Sequence, residues 1–238
     1  MLKPLESDLN KAYRELYTMN YETGQLNKHI RKSKIERTTN ETTIRLLLNI
    51  DGSGEADIST GVGFFDHMLE SFAKQGQFDL KIRCIGDTHV DFHHTVEDVG
   101  IVLGQAYSEC LKNKVGIKRY GASFTPMDEA MAEVKAQVLP DPWDKKQNIQ
   151  TVLDLSGRPF LVFNAIFALP TIGDFPTELV EEFFRAFAMN AMITLHINVP
   201  YGKNTHHIIE AIFKGTARAL SEAARIEGDV LLSTKGLL

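Results

Sequence analysis

Two histidine pairs, each with a glutamate three positions after the second histidine, are the residues best suited to chemistry. They are His93-His94-Thr95-Val96-Glu97 and His206-His207-Ile208-Ile209-Glu210. Apolar residues recur three and four positions apart after each pair, so both pairs are predicted to begin a helix. On a helix a histidine and the glutamate of each motif share one face. Neutral imidazoles with a carboxylate form a divalent-metal site.

One copy of this motif is weak, because a solvated helix start has the same residues. Two copies lie 113 positions apart (206 minus 93), which indicates an internal duplication with metal chemistry in each half. Taken alone, His67 on a helix rich in Phe and Met, and His196 on an apolar strand, are better interpreted as core histidines. With the pairs, six histidines and two glutamates divide into two sites, and ligands without thiolate suit Mn, Fe, Co, Ni or Zn.

Cationic and hydroxyl side chains occur near the second motif and in other short motifs of the chain. Each of these residues, taken alone, is best interpreted as an ordinary solvated surface group. Beside a metal site they are able to clamp an anionic group such as phosphate. The candidates are Arg119, Arg158, Lys214, Ser233 and Lys235.

The elements that must position these residues follow the same order in two halves: strands, a helix, a strand and a helix. This order predicts an α+β protein with two similar halves, each a sheet backed by two helices. We predict an extension at 1–30, a first half at 31–122, and a second half at 123–238 with a charged, Pro-punctuated loop inserted near 139–150. Predicted helices are Phe64–Lys74, His93 to about Lys112, Glu178–Asn190 and the stretch after His206; predicted strands lie in Ile35–Ile50, Phe78–Cys84, Ala130–Val138, Gln150–Leu155, Phe160–Phe167 and Ile193–Val199.

The composition of the 238-residue chain is that of an ordinary globular protein with a formal net charge of −5. No long basic run is present, which argues against a nucleic-acid partner. No apolar stretch approaches the ~20 residues that span a bilayer, so a membrane is not an expected partner. The two cysteines, Cys84 and Cys110, form no CxxC pair and indicate a reducing compartment, so we expect a cytoplasmic protein.

Several short motifs follow one another in a fixed order from about Arg31 onward. They are residues 65–69, 91–100 and 202–214, supported by Arg119-Tyr120-Gly121, Pro126-Met127-Asp128-Glu129-Ala130, Asp154-Leu155-Ser156-Gly157-Arg158-Pro159 and Ser233-Thr234-Lys235-Gly236. In this combination the chain resembles imidazoleglycerol-phosphate dehydratase of histidine biosynthesis. The resemblance implies a ribosomal protein S5 domain 2-like fold.

The resemblance also implies the roles of individual residues. The ligands for two Mn²⁺ ions per subunit are implied to be His67, His93, His94, Glu97, His196, His206, His207 and Glu210. Glu41 matches the catalytic glutamate, and Arg119, Arg158, Lys214, Ser233 and Lys235 match the phosphate-binding groups. The implied assembly is a homo-oligomer, a 24-mer built from trimers, with metal sites between subunits.

The implied reaction is the Mn-dependent dehydration of D-erythro-imidazole glycerol phosphate to imidazole acetol phosphate. Two alternatives from other classes are a metal-dependent hydrolase and a non-catalytic shell in which metals only join subunits. A hydrolase would favour metals bridged by oxygen ligands, whereas this chain offers mainly histidines. A purely structural shell has no need of Glu41.

Overall fold

The fold is that of a computed structural model, which describes residues 31–134 and 153–236. The predicted extension at 1–30 and the predicted insertion at 139–150 lie outside these ranges. Within them, no helix is both long and apolar enough to cross a lipid bilayer.

The first half consists of a four-stranded sheet and two helices. Alternate residues of its second strand, Thr42, Ile44, Leu46 and Leu48, are buried, as the alternating sequence predicts. The strand order is β1-β2-β4-β3. The elements are β1 (Lys32–Thr38), β2 (Thr42–Asn49), β3 (Ala56–Ser59), α1 (Gly63–Gly76), β4 (Asp79–Gly86) and α2 (His93–Leu111).

The second half has a larger sheet and again two helices. Its path is β5-β8-β12-β7-β6, and β9 pairs with the other side of β12. The elements are β5 (Tyr120–Gly121), β6 (Ser123–Met127), β7 (Ala130–Val134), β8 (Leu153–Asp154), β9 (Phe160–Asn164), β10 (Thr171–Ile172), β11 (Phe175–Pro176), α3 (Leu179–Ala191), β12 (Thr194–Tyr201) and α4 (Thr205–Ala224).

Strand pairing repeats between the halves in both order and direction. In the first half β1–β2 and β2–β4 are antiparallel and β3–β4 is parallel. In the second half β6–β7 and β7–β12 are antiparallel and β9–β12 is parallel. The repeated pairing agrees with the duplicated α+β fold predicted from the sequence. The boundary at residue 122 stays a prediction, and β5, just before it, pairs with the second sheet.

Strands β7 and β8 lie in succession along the same side of β12. Asn198 of β12 is opposite Glu133, whereas Leu195 is opposite Leu153. Along two antiparallel strands one residue number rises as the other falls, so the numbers of paired residues keep a constant sum. Here the sum is 331 for Asn198 and Glu133 but 348 for Leu195 and Leu153, a difference of 17. The chain therefore has 17 more residues between Glu133 and Leu153 than a continuous strand would need to pair with Asn198 and Leu195.

The helices of the two halves pack against each other between the two sheets. Helix α1 contacts α4, α2 contacts α3, and each helix also contacts the sheet of its own half. Gly104 of α2 allows close approach, since a Cβ atom there would lie 2.6 Å from the carbonyl oxygen of Phe187. One apolar core runs through both halves. Buried side chains of α1 and α4 meet within it, as the rings of Phe65 and Phe213 do at 6.5 Å.

Candidate functional site

Both histidine pairs stand at the N-terminus of a helix that follows a strand end. In the second half Asn204 caps α4, because its side chain accepts the backbone N–H of His206 at 2.9 Å and of His207 at 3.4 Å. In the first half the Asp91 carboxylate accepts the backbone N–H of His93 at 2.8 Å. The Asn204 cap fixes where α4 begins, whereas the capping position of α2 is Phe92, which makes no side-chain cap.

Three side chains of types that can bind a metal ion come together where α1 meets α4. Ligand atoms of His67, His206 and Glu210 all lie within 4.8 Å of one another. His206 Nε2 is 3.4 Å from Glu210 Oε2, and the rings of His67 and His206 are 5.9 Å apart. Two imidazoles and one carboxylate are the N/O donor set that first-row divalent ions accept, so these residues fit a metal ion. We call them the α1–α4 cluster.

Glu210 of this cluster is buried and carries a second partner. Its Oε1 accepts a bond from Lys214 Nζ at 2.6 Å. Burial works to raise the pKa of Glu210, but the hydrogen bond and charge of Lys214, with His206 and His67, hold that pKa below its ordinary value. The carboxylate is therefore ionised at neutral pH and suited to a cation.

A second group of side chains surrounds the start of α2. His93 Nε2 lies 3.8 Å from Glu97 Oε2, and His94 Nε2 lies 3.6 Å from Glu41 Oε1. Glu41 is exposed in the turn between β1 and β2, so the sheet places the predicted catalytic carboxylate beside a predicted ligand. These residues carry the first copy of the motif whose second copy supplies His206 and Glu210 to the α1–α4 cluster.

Three acidic residues that sequence analysis did not assign to the site contact its histidines. Asp87 lies 3.0 Å from His94 Nδ1, and Glu129 lies 2.8 Å from His207 Nδ1. Asp128, which has a left-handed backbone (φ 49°), lies 3.8 Å from His207 Nε2. The Met-Asp-Glu-Ala motif contained two of them, but only the fold shows that this hairpin reaches α4.

These contacts raise the pKa values of the two histidines and lower the pKa of Glu129. The hydrogen bond to Asp87 raises the pKa of His94, and that to Glu129 raises the pKa of His207. The His207 bond and the backbone N–H of Asn204 together lower the pKa of Glu129 to about 2. Glu129 is thus an anionic acceptor for the ring of His207.

His196 is not part of the α1–α4 cluster. It is half-buried on β12, in register with Val162, and burial lowers its pKa. Within residues 31–134 and 153–236, the three-residue cluster is the group of His, Asp, Glu or Cys side chains close enough to hold an ion. One chain alone therefore brings together three of the eight predicted ligands.

Comparison with known proteins identifies the family. The sequence model of imidazoleglycerol-phosphate dehydratase matches residues 60–220. The chain is 56% identical over 212 residues to the imidazoleglycerol-phosphate dehydratase of Acetivibrio thermocellus, covering 87% of this chain and 99% of that protein. The chain belongs to the imidazoleglycerol-phosphate dehydratase family.

Other members of the dehydratase family agree in sequence and fold. The protein of that name from Streptococcus mutans is 51% identical over 211 residues, covering 88% of this chain and 100% of its own. The crystal structure of the Staphylococcus aureus imidazoleglycerol-phosphate dehydratase superposes with a TM-score of 0.68 at 41% identity, covering 82% of this chain and 99% of that one. The family and the fold predicted from sequence are confirmed.

The predicted phosphate-binding residues of this family member are distributed over separate places. Arg119 donates to Asp154 at 2.8 and 3.2 Å and to the carbonyl of Leu232, which immediately precedes Ser233. The bond to Asp154 raises the pKa of Arg119. Arg158 and Lys235 are exposed, whereas Lys214 is bound to Glu210 in the α1–α4 cluster.

Proposed function

We propose that this chain catalyses the Mn-dependent dehydration of D-erythro-imidazole glycerol phosphate to imidazole acetol phosphate in histidine biosynthesis. The observation that carries the proposal is the α1–α4 cluster in a chain of this family: His67, His206 and Glu210 form an N/O donor set from two helices. The substrate name comes from the family, and the donor set supports its metal dependence.

The reaction must remove a proton from carbon beside an alcohol and expel the hydroxyl as water. No carbonyl is present to stabilise the carbanion, so the imidazole ring of the substrate must accept the electrons. His67, His206 and Glu210 would hold a divalent ion, and such an ion would supply Lewis-acid chemistry that favours a deprotonated ring and departure of the hydroxyl.

Glu41 is proposed to move the proton. Its carboxylate is exposed and lies 3.6 Å from His94 Nε2, so it is open to a substrate bound at the histidines. Arg119, Arg158, Lys214, Ser233 and Lys235 are proposed to hold the phosphate and keep the ring in register. A substrate phosphate would take over cationic groups that Asp154 and Glu210 now engage.

The remaining ligands are proposed to complete two Mn²⁺ sites per subunit: His93, His94, Glu97, His196 and His207. Since His196 stands apart from the cluster within one chain, sites shared between subunits are supported. Exposed apolar side chains such as Ile166, at 88% exposure, and Phe160, at 58%, supply surface for the proposed homo-oligomer, a 24-mer of trimers. We further propose a cytoplasmic enzyme, in keeping with the buried thiols Cys84 and Cys110.

Metal titration tests the proposed function. Protein stripped by a chelator is expected to form no imidazole acetol phosphate, and stepwise Mn²⁺ is expected to restore product formation up to two bound ions per chain, as six histidines and two glutamates imply. The measurement is product formed against bound Mn²⁺ at each step. A plateau near one ion per chain, or activity that ignores Mn²⁺, contradicts the two-site account.

Assembly is expected to depend on the same ions. Chelator-treated protein should sediment as a small oligomer, and Mn²⁺ should restore a large particle, because ligands such as His196 then bridge subunits. Analytical ultracentrifugation checks this with the protein at one concentration throughout. Mg²⁺ in place of Mn²⁺ is the control, since Mg²⁺ prefers oxygen ligands. An identical sedimentation coefficient with chelator and with Mn²⁺ would show that the sites do not join subunits.

A further inference from the structure

We infer that Asp87 and Glu129 are positioning residues, which hold His94 and His207 with the proton on Nδ1 and leave Nε2 as the metal-binding nitrogen. The inference rests on the proposed metal-dependent function and deepens it. Neither carboxylate is among the proposed ligands, and each contacts the second histidine of a pair.

In the first half both oxygens of Asp87 face one ring nitrogen. Oδ2 is 3.0 Å and Oδ1 is 3.2 Å from His94 Nδ1. The backbone fixes this carboxylate, since Asp87 follows directly on β4 and its N–H donates to the carbonyl of Glu41 at 3.1 Å. Carboxylate oxygens accept hydrogen bonds and a ring N–H donates them, so two oxygens facing one ring nitrogen place the proton of this contact on Nδ1.

In the second half the two carboxylate oxygens of Glu129 have different partners. Oε2 lies 2.8 Å from His207 Nδ1, and Oε1 accepts the backbone N–H of Asn204 at 2.7 Å and of Lys203 at 3.3 Å. Asn204 is also the cap of α4. One carboxylate therefore ties the β6–β7 hairpin to the loop before α4 and to the ring that this loop presents.

The two carboxylates come from different places in the repeated fold. Asp87 follows β4, whereas the segment after the corresponding strand β12 reads Gly202-Lys203-Asn204 and contains no acid. Glu129 supplies the contact from the hairpin between β6 and β7 instead. Because the same contact to equivalent histidines arises from non-equivalent positions, duplication of the fold alone does not account for it.

The chemical consequence concerns the other ring nitrogen. A neutral imidazole carries one N–H, so a proton held on Nδ1 leaves a lone pair on Nε2. Nε2 of His94 points toward Glu41 at 3.6 Å, and Nε2 of His207 toward Asp128 at 3.8 Å. Both lone pairs are thus aimed at acidic surroundings that favour a cation, and a carboxylate behind a ligating histidine raises its affinity for metal.

Mn²⁺ affinity of the full-length protein, measured by electron paramagnetic resonance, tests the inference. Asp87→Ala and Glu129→Ala are each expected to weaken Mn²⁺ binding on the order of 10–100-fold. Asp87→Asn and Glu129→Gln should retain part of the affinity, because the amide oxygen still accepts from Nδ1. Asp91→Asn is the matched control, since it removes a charge from the same loop but keeps a side-chain oxygen that accepts the backbone N–H of His93.

The control is expected to change Mn²⁺ affinity by less than about fivefold, the effect of an exposed charge. Alanine variants that bind Mn²⁺ like the parent overturn the inference. So does an Asp91→Asn loss equal to that of Asp87→Ala, because the effect would then be one of general charge.

A second readout needs no metal. Nitrogen-15 spectra of metal-free protein labelled at histidine, recorded near pH 8.5, about two units above the ordinary histidine pKa, report which nitrogen carries the proton. We expect protonated Nδ1 at His94 and His207, lost in the respective alanine variants. Protonated Nε2 in the parent overturns the inference. Protonated Nδ1 in a parent that binds no Mn²⁺ keeps the orienting role and rejects the proposed metal-dependent function.

Discussion

Replacing Glu41 with glutamine is expected to lower kcat by about 10²–10⁴-fold, the usual contribution of general acid–base catalysis. Glutamine keeps the size and hydrogen-bonding reach of the side chain but accepts no proton at neutral pH. Glu41 is exposed in the β1–β2 turn and its partner in the structure is His94 at 3.6 Å, so the fold should tolerate the change. Initial rates with saturating substrate and Mn²⁺ are the measurement.

Metal content and sedimentation of Glu41→Gln should match those of the parent protein, which separates loss of catalysis from loss of the site. Glu36→Gln, on the exposed face of β1 and paired with Lys34, is a control for a general change of charge on this sheet. Near-normal turnover of Glu41→Gln with Mn²⁺ bound would show that another group transfers the proton. A rate loss accompanied by loss of Mn²⁺ would instead make Glu41 a ligand.

Replacing His206 with alanine is expected to have the largest effect on metal binding. The change removes the ring that stands next to both other members of the α1–α4 cluster, 3.4 Å from the Glu210 carboxylate. The Mn²⁺ affinity of that site should fall by more than the ~10–100-fold that accompanies loss of a supporting contact, and dehydration should fall with it. Mn²⁺ titration and initial rates on the same preparation check both.

His89→Ala is the matched control for His206→Ala, because His89 is an exposed histidine outside the cluster. It is expected to leave Mn²⁺ affinity unchanged. High activity of His206→Ala at low Mn²⁺ would mean that the cluster is not the metal site on which the reaction depends.

Long periodic stretches made most of the helices predictable. The stripe from Phe64 to Lys74 lies within α1 (Gly63–Gly76), and the predicted helix at Glu178–Asn190 is α3 (Leu179–Ala191). In these stretches burial follows the helical period, so local pattern and tertiary packing agree. The predicted strand Phe160–Phe167 ends earlier, at Asn164, and Phe167 packs against the core from outside the strand.

Short strands at sheet edges gave no such signal. Strand β3 (Ala56–Ser59) is mostly exposed and shows no alternation, so only its parallel pairing with β4 makes it a strand. The hairpin strand β6 (Ser123–Met127) was likewise not predicted, although its partner β7 was. Their structure depends on neighbours that are distant in sequence.

The site was predictable to the extent that its residues are near one another in the chain. Spacing placed His206 and Glu210 on one helix face, and the structure has their side chains 3.4 Å apart. Glu129 and His207 are 78 residues apart, and no local pattern links them. The role of His196 could not be predicted from spacing at all. It depends on the family, since a single chain does not bring His196 to the α1–α4 cluster.

Identification of the product tests the central claim most directly. Mn²⁺-loaded protein is incubated with D-erythro-imidazole glycerol phosphate, and the products are analysed by mass spectrometry and by an assay for inorganic phosphate. We expect a phosphorylated ketone that is lighter than the substrate by one water, formed without phosphate release and abolished by chelator. Phosphate release without dehydration would show that the chain is a hydrolase. Unchanged substrate with both ions bound would show that the metal ions have only a structural role. Either result contradicts the account.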